Sequence, residues 1–115
     1  MICDAAYDKK ADDIIIMDMG QRPTLSRIFV VMSAPSTVRV KAIVDSIDDG
    51  IKEADGMRPL HKEGYDAGTW VLLDYGDVVV HVFLDEERQY YRLDRLYADA
   101  PRVDWRMSVS GDESA

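Results

Sequence analysis

The chain has 115 residues and a formal net charge of −8, from 22 acidic against 14 basic side chains. That length normally makes one domain with a real core. The charge removes the long-range attraction to phosphate that supplies most non-specific nucleic-acid affinity, which argues against naked RNA or DNA as a direct ligand and for a positively charged protein surface.

The first ten residues, MICDAAYDKK, read as the frayed and incomplete end of a helix rather than a targeting signal, because no basic region precedes an apolar one. Cys3 is the single cysteine, so one chain can build neither a disulfide framework nor a thiolate metal cage, and a reducing compartment fits. "DIIIMDM" at 13–19 and "RIFVVMS" at 27–33 are short, apolar and bounded by turn residues, and both read as strands buried on two faces, joined by the loop "GQRPTLS". From Ser36 the apolar spacing changes to three and four: Val40, Ile43, Val44, Ile47, Ile51 and Ala54 predict one amphipathic helix. Ser36 suits its N-cap, Gly50 is an interior cost of about 1 kcal/mol, and Gly56 followed by Pro59 suits its end.

"MRPLHKEG" at 57–64 reads as a weak edge strand. Residues 70–75 and 78–84 then form a hairpin around Gly76 and Asp77, a pair suited to a tight turn. Asp85, Glu86 and Glu87 place acids at the positive amino end of a short helix, after which Tyr91, Leu93 and Leu96 pack back. Apolar stretches reach about seven residues against the roughly twenty of a membrane-spanning helix, so a soluble, cytoplasmic protein is expected. The first two strands lack a helical crossover and the last two form a hairpin, which predicts an α+β fold: a mixed sheet of about five strands with helices packed on it. One domain over 1–105 and a disordered polar tail at 106–115 complete the expected organisation.

Candidate chemistry centres on the hairpin. Asp77 beside a glycine suits turn chemistry. Alternation puts Asp74 on one strand face with Trp70 and Leu72, while Val71, Leu73 and Tyr75 face the other way. Tryptophan, leucine and aspartate on one face is the mixture of a protein interface, where aromatic anchors dominate and a charge selects the partner. Trp70, Leu72, Asp74, Tyr75 and Asp77 are the candidate partner-binding residues.

A second reading, a small nucleotidyltransferase-like enzyme or nucleotide-binding domain, would use Asp74 and Asp77 with magnesium, but it also needs a loop that cradles phosphate. "SAPS" at 33–36 stands where a strand meets a helix amino terminus, yet lacks glycine and a lysine at P-loop spacing. His61 and His81 have no ligand at metal spacing and Cys3 has no flanking base to activate it, so neither a metal, a cofactor nor a catalytic residue is expected.

"WVLLDYGDVVVHVF" followed by "EERQYYRLDRLY" resembles the ribosomal silencing factors, the Iojap family, with Trp70, Asp74, Tyr75, Gly76, Asp77, His81 and Phe83, then Glu86, Arg88, Tyr91, Leu93 and Leu96 at the pattern's positions. "KKADDIIIMDM" and "FVVMSAPSTVRVKAIVDSI" extend the resemblance over about residues 8–101. The chain departs from the pattern at Ser26 and Arg27 in place of Thr-Asp, at Ala34 in place of glycine, and at Val38 and Arg39 in place of Arg-Gln. The resemblance implies a nucleotidyltransferase-like fold without the catalytic motif. It further implies a non-enzymatic factor that binds protein fourteen of the large ribosomal subunit, blocks joining of the 30S and 50S subunits, lowers translation under nutrient limitation, and forms homodimers off the ribosome.

Overall fold

A computed structural model describes residues 2–18, 28–91 and 102–103. Their elements run α1 (Ile2–Asp8), β1 (Asp12–Asp18), β2 (Ile28–Ala34), α2 (Thr37–Asp55), β3 (His61–Glu63), β4 (Trp70–Asp74), β5 (Val78–Leu84), α3 (Asp85–Tyr91) and β6 (Arg102–Val103). One mixed sheet has the order β3-β4-β5-β2-β1-β6. β2 and β5 are parallel at its centre, and their other neighbours, β1 and β4, run antiparallel to them. The fold class is therefore the expected α+β.

α2 forms where the three-and-four spacing placed it. Ser36 is extended and its Oγ accepts a hydrogen bond from the Arg39 N–H at 3.1 Å, while Gly56, left-handed at φ 67°, closes the last turn by donating to the Lys52 carbonyl at 2.8 Å. Val40, Ile43, Val44, Ile47 and Ile51 are buried against Val30, Met32, Val71, Leu73, Val80 and Val82 of the sheet. Ala54 is exposed instead of joining this stripe. Ile51 is the last residue of α2 within the core, and the remaining turn runs on into solvent.

α1 packs on α2. Ala6 is fully buried, and the Ser46 hydroxyl donates to the Ala5 carbonyl at 3.2 Å. Its end is built rather than frayed: Ala11 N–H bonds the Ala6 carbonyl at 3.0 Å and Lys10 N–H the Tyr7 carbonyl at 2.9 Å, a Schellman closure with Lys10 at φ 62° where glycine is usual.

Two strand expectations need correction. β2 is buried from Val30 onward, as its central place requires, but β1 is not buried on two faces: Asp12 and Asp13 are exposed and Met17 alone is fully covered. On its other edge β1 pairs with β6, a sixth strand that sets Val103 opposite Ile16 and Arg102 opposite Met17. β3 is the expected edge strand, shortened to three residues and paired to β4 through Lys62 opposite Leu73. Leu93, Leu96, Ser26, Arg27 and the 106–115 tail lie outside the described residues.

Candidate functional site

The alternation of β4 sorts its side chains as the sequence suggested. Val71 and Leu73 are fully buried toward α2, whereas Trp70, Leu72 and Asp74 are half-buried on the opposite face. Tyr75, one residue past the strand, goes with the α2 side: it is 8% exposed and joins the main core. Of the five candidate residues, three thus share one face and Asp77 stands exposed at the turn beyond them, while Tyr75 lies behind.

Pairing registers extend that face across the sheet. Trp70 lies opposite Phe83, Leu72 opposite His81 and Asp74 opposite Val79, and the parallel β2 adds Ser33, Val31 and Phe29 in the same rows. β1 contributes Ile15 and Met17. Met17, Val31 and Phe83 are buried here with Ile15, Phe29 and Trp70 packed around them, a second cluster on the side away from α2. On the other flank, β3 sets exposed His61 opposite Asp74 and exposed Glu63 opposite Leu72. In the sequence His61 is weighed only as a metal ligand and neither residue is placed beside this face, because a three-residue edge strand has too little pattern to reveal its register. α3 covers the Ser33 end, where the Arg88 guanidinium donates to the Ser33 hydroxyl at 3.1 Å and to the Asp12 carbonyl at 3.3 Å.

The hairpin closes through a Tyr75 N–H to Val78 carbonyl bond of 2.8 Å around Gly76, at φ 91°, and Asp77. The carboxylate that serves this turn is that of Asp74, not Asp77: Asp74 Oδ1 accepts from the Gly76 N–H at 2.8 Å. An aspartate bonding the backbone two residues on is ordinary Asx chemistry, and the Asp-Tyr-Gly spacing carried that signal. Asp77 instead ties the turn to β2, its carbonyl accepting from the Ile28 N–H at 3.0 Å.

Trp70 is anchored by the rings of Phe83 and His81. Its indole stacks on Phe83 with centroids 4.9 Å apart and 27° between planes, and its Nε1–H donates to His81 Nδ1 at 3.1 Å. Phe29 meets His81 edge-on at 4.9 Å. His81 is 5% exposed, and burial pushes its pKa down to about 4, so the ring is neutral at ordinary pH. Gly64, at φ 80°, passes so close behind β4 that a Cβ there would fall on the Trp70 carbonyl.

Ser33 and Ser36 of the "SAPS" segment are both engaged in the fold, one by Arg88 and one as the α2 cap. Among the described residues, no three or more His, Cys, Asp or Glu side chains gather in a metal-holding group, and no helix is long and apolar enough to cross a membrane. Of the positions departing from the family pattern, Ala34 is fully buried at the end of β2, and Val38 is 77% exposed on the first turn of α2.

The profile described as "Ribosomal silencing factor during starvation" matches residues 1–115. The chain belongs to the ribosomal silencing factor family. Its relatives include the ribosomal silencing factor of Bacillus subtilis (strain 168), 42% identical over 100 residues that cover 87% of this chain and 84% of that one. The chloroplastic protein Iojap of Zea mays is 32% identical over 87% of this chain but only 43% of its own length. A crystal structure of a Chromobacterium violaceum protein superposes with a TM-score of 0.79 at 38% identity, covering 84% of this chain and 80% of that one. One from Bacillus halodurans gives 0.75 at 35%, covering 90% and 92%. The overall fold thus has solved counterparts among related proteins.

Proposed function

We propose that this silencing factor docks through the Trp70, Leu72 and Asp74 face, with Asp77 at its rim, on a basic surface of the large ribosomal subunit, that of ribosomal protein fourteen. Docking there sterically keeps the 30S and 50S subunits apart and represses translation when nutrients are limiting. One observation supports this most: a half-buried tryptophan and leucine share a strand face with an aspartate in a chain of net charge −8. An aromatic anchor supplies desolvation energy, and acidic groups favour a basic partner while discouraging capture by bare RNA.

The protein works in the cytoplasm by occupancy rather than turnover, and in this reading it is not an enzyme. It forms homodimers when off the ribosome, so docking draws on the free monomer. Tyr75 supports the face from behind instead of touching the partner.

Co-sedimentation with purified 50S subunits tests the assignment. Wild-type protein is expected to pellet with 50S, and folded Asp74→Arg protein is expected to stay in the supernatant, because a reversed charge against a basic partner costs several kcal/mol. Undiminished pelleting of that variant removes Asp74 from the interface.

A further inference from the structure

Trp70 and His81 are diagonal neighbours on β4 and β5, since Trp70 lies opposite Phe83 and Leu72 opposite His81. The indole is a donor only, so a 3.1 Å bond to His81 Nδ1 requires that this nitrogen carry no proton. A neutral ring then holds its proton on Nε2. That atom is buried and has no hydrogen-bond partner among the described residues.

An unpaired buried donor destabilises a fold, and most buried polar groups avoid it. His81 stands in a strand whose neighbours are Val80 and Val82, with Phe29 edge-on to its ring and Phe83 beyond. Packing alone would be served as well by leucine. What leucine lacks is the Nδ1 acceptor.

We propose that His81 is a positioning residue for partner recognition: its Nδ1 holds the Trp70 indole N–H and so presents the ring in one orientation for docking on a basic protein surface. An anchor already fixed before binding loses less rotamer freedom when it docks, which raises affinity without any new contact to the partner. This inference rests on the proposed use of the Trp70 face, and it assigns to His81 a contribution to binding opposite in sign to its contribution to stability.

The test uses the full chain with 50S subunits as the binding probe. His81→Leu removes the acceptor at similar volume, and His81→Asn keeps an acceptor oxygen near the Nδ1 position. Denaturant unfolding, the indole N–H resonance and 50S affinity are measured for each; a Trp105→Phe background assigns the signal, since the chain has two tryptophans. For His81→Leu the expected result is unchanged or higher stability, faster solvent exchange of the Trp70 indole proton, and about five- to tenfold weaker binding, the cost of ordering one more side chain on docking. His81→Asn is expected to keep the indole protected and the affinity within about twofold. If His81→Leu does not fold, Trp70→Phe removes the same bond from the donor side and is expected to weaken binding about fivefold or more.

An indole proton that stays protected in His81→Leu overturns the proposal. So does unchanged 50S affinity in His81→Leu, or in Trp70→Phe when it stands in, while Trp70→Ala loses binding. If Trp70→Ala itself binds like the wild type, the use of this face for docking fails, and the role of His81 in recognition fails with it.

Discussion

The Asp74 carboxylate lends one oxygen to the Gly76 N–H at 2.8 Å and its charge to the Trp70 face, and the two contributions respond to different substitutions. Asp74→Asn keeps an acceptor for the turn, so stability should stay within about 0.5 kcal/mol while 50S binding weakens. Asp74→Ala should lose binding and about 1 kcal/mol of stability as well. Paired denaturant melts and co-sedimentation separate these, and an Asn variant that binds like the wild type would remove the charge from recognition.

His81 sets an acid limit on the fold. Its folded pKa of about 4 lies below the ordinary 6.5, so between those values the unfolded chain binds the proton that the native state excludes. Stability from this residue is therefore complete above about pH 6.5 and lost as pH falls toward 4, by up to about 3 kcal/mol. Urea unfolding of wild type and His81→Leu at pH 7 and pH 4.5 should show a smaller pH loss in the variant. The Trp70–His81 contact was legible in principle, because a two-residue turn fixes the hairpin register and with it the diagonal pairs. That Nε2 has no partner among the described residues was not, because it depends on what other segments bring to that spot.

Two glycines show how differently one residue type behaves in different elements. Gly50 lies inside α2, where an added Cβ would meet Ala5 Cβ at an ordinary 4.0 Å. Gly50→Ala should therefore stabilise by about 1 kcal/mol through helix propensity alone. Gly64 is at φ 80° with its Cβ position blocked by backbone at Trp70, so Gly64→Ala should cost at least about 2 kcal/mol and displace the start of β4. Thermal melts of the two variants should move in opposite directions. The helix glycine could be judged from its neighbours in sequence, since periodicity and capping are local. Gly64 could not, because the crossing that demands it is made by a strand whose edge pairing is nearly invisible in the sequence. The partial burial of β1 has the same origin: an apolar run tells what a strand would prefer to cover, not how fully distant segments cover it.

A steric blocker inhibits only while bound, so subunit joining should fall to its limit at about one copy per large subunit and recover as salt screens the acidic face from its basic partner. Light scattering of mixed 30S and 50S subunits without nucleotide measures both, and inhibition far below one copy per subunit would point to turnover. At this scale the family was already written in the hairpin run from Trp70 to Phe83, and the α+β class in the order of strands and helix. The class follows from short-range rules, since alternation, three-and-four spacing, capping and turn chemistry act within about ten residues, whereas the family rests on the likeness of that run to the Iojap pattern. Tertiary structure alone decided what surrounds the candidate face. It brought His61 and Glu63 beside the face through β3 and left His81 with its Nδ1 bonded to Trp70 and its Nε2 without a hydrogen-bond partner among the described residues. Those outcomes depend on which distant segments meet, and packing between them is settled by the whole sheet rather than by any stretch of the chain.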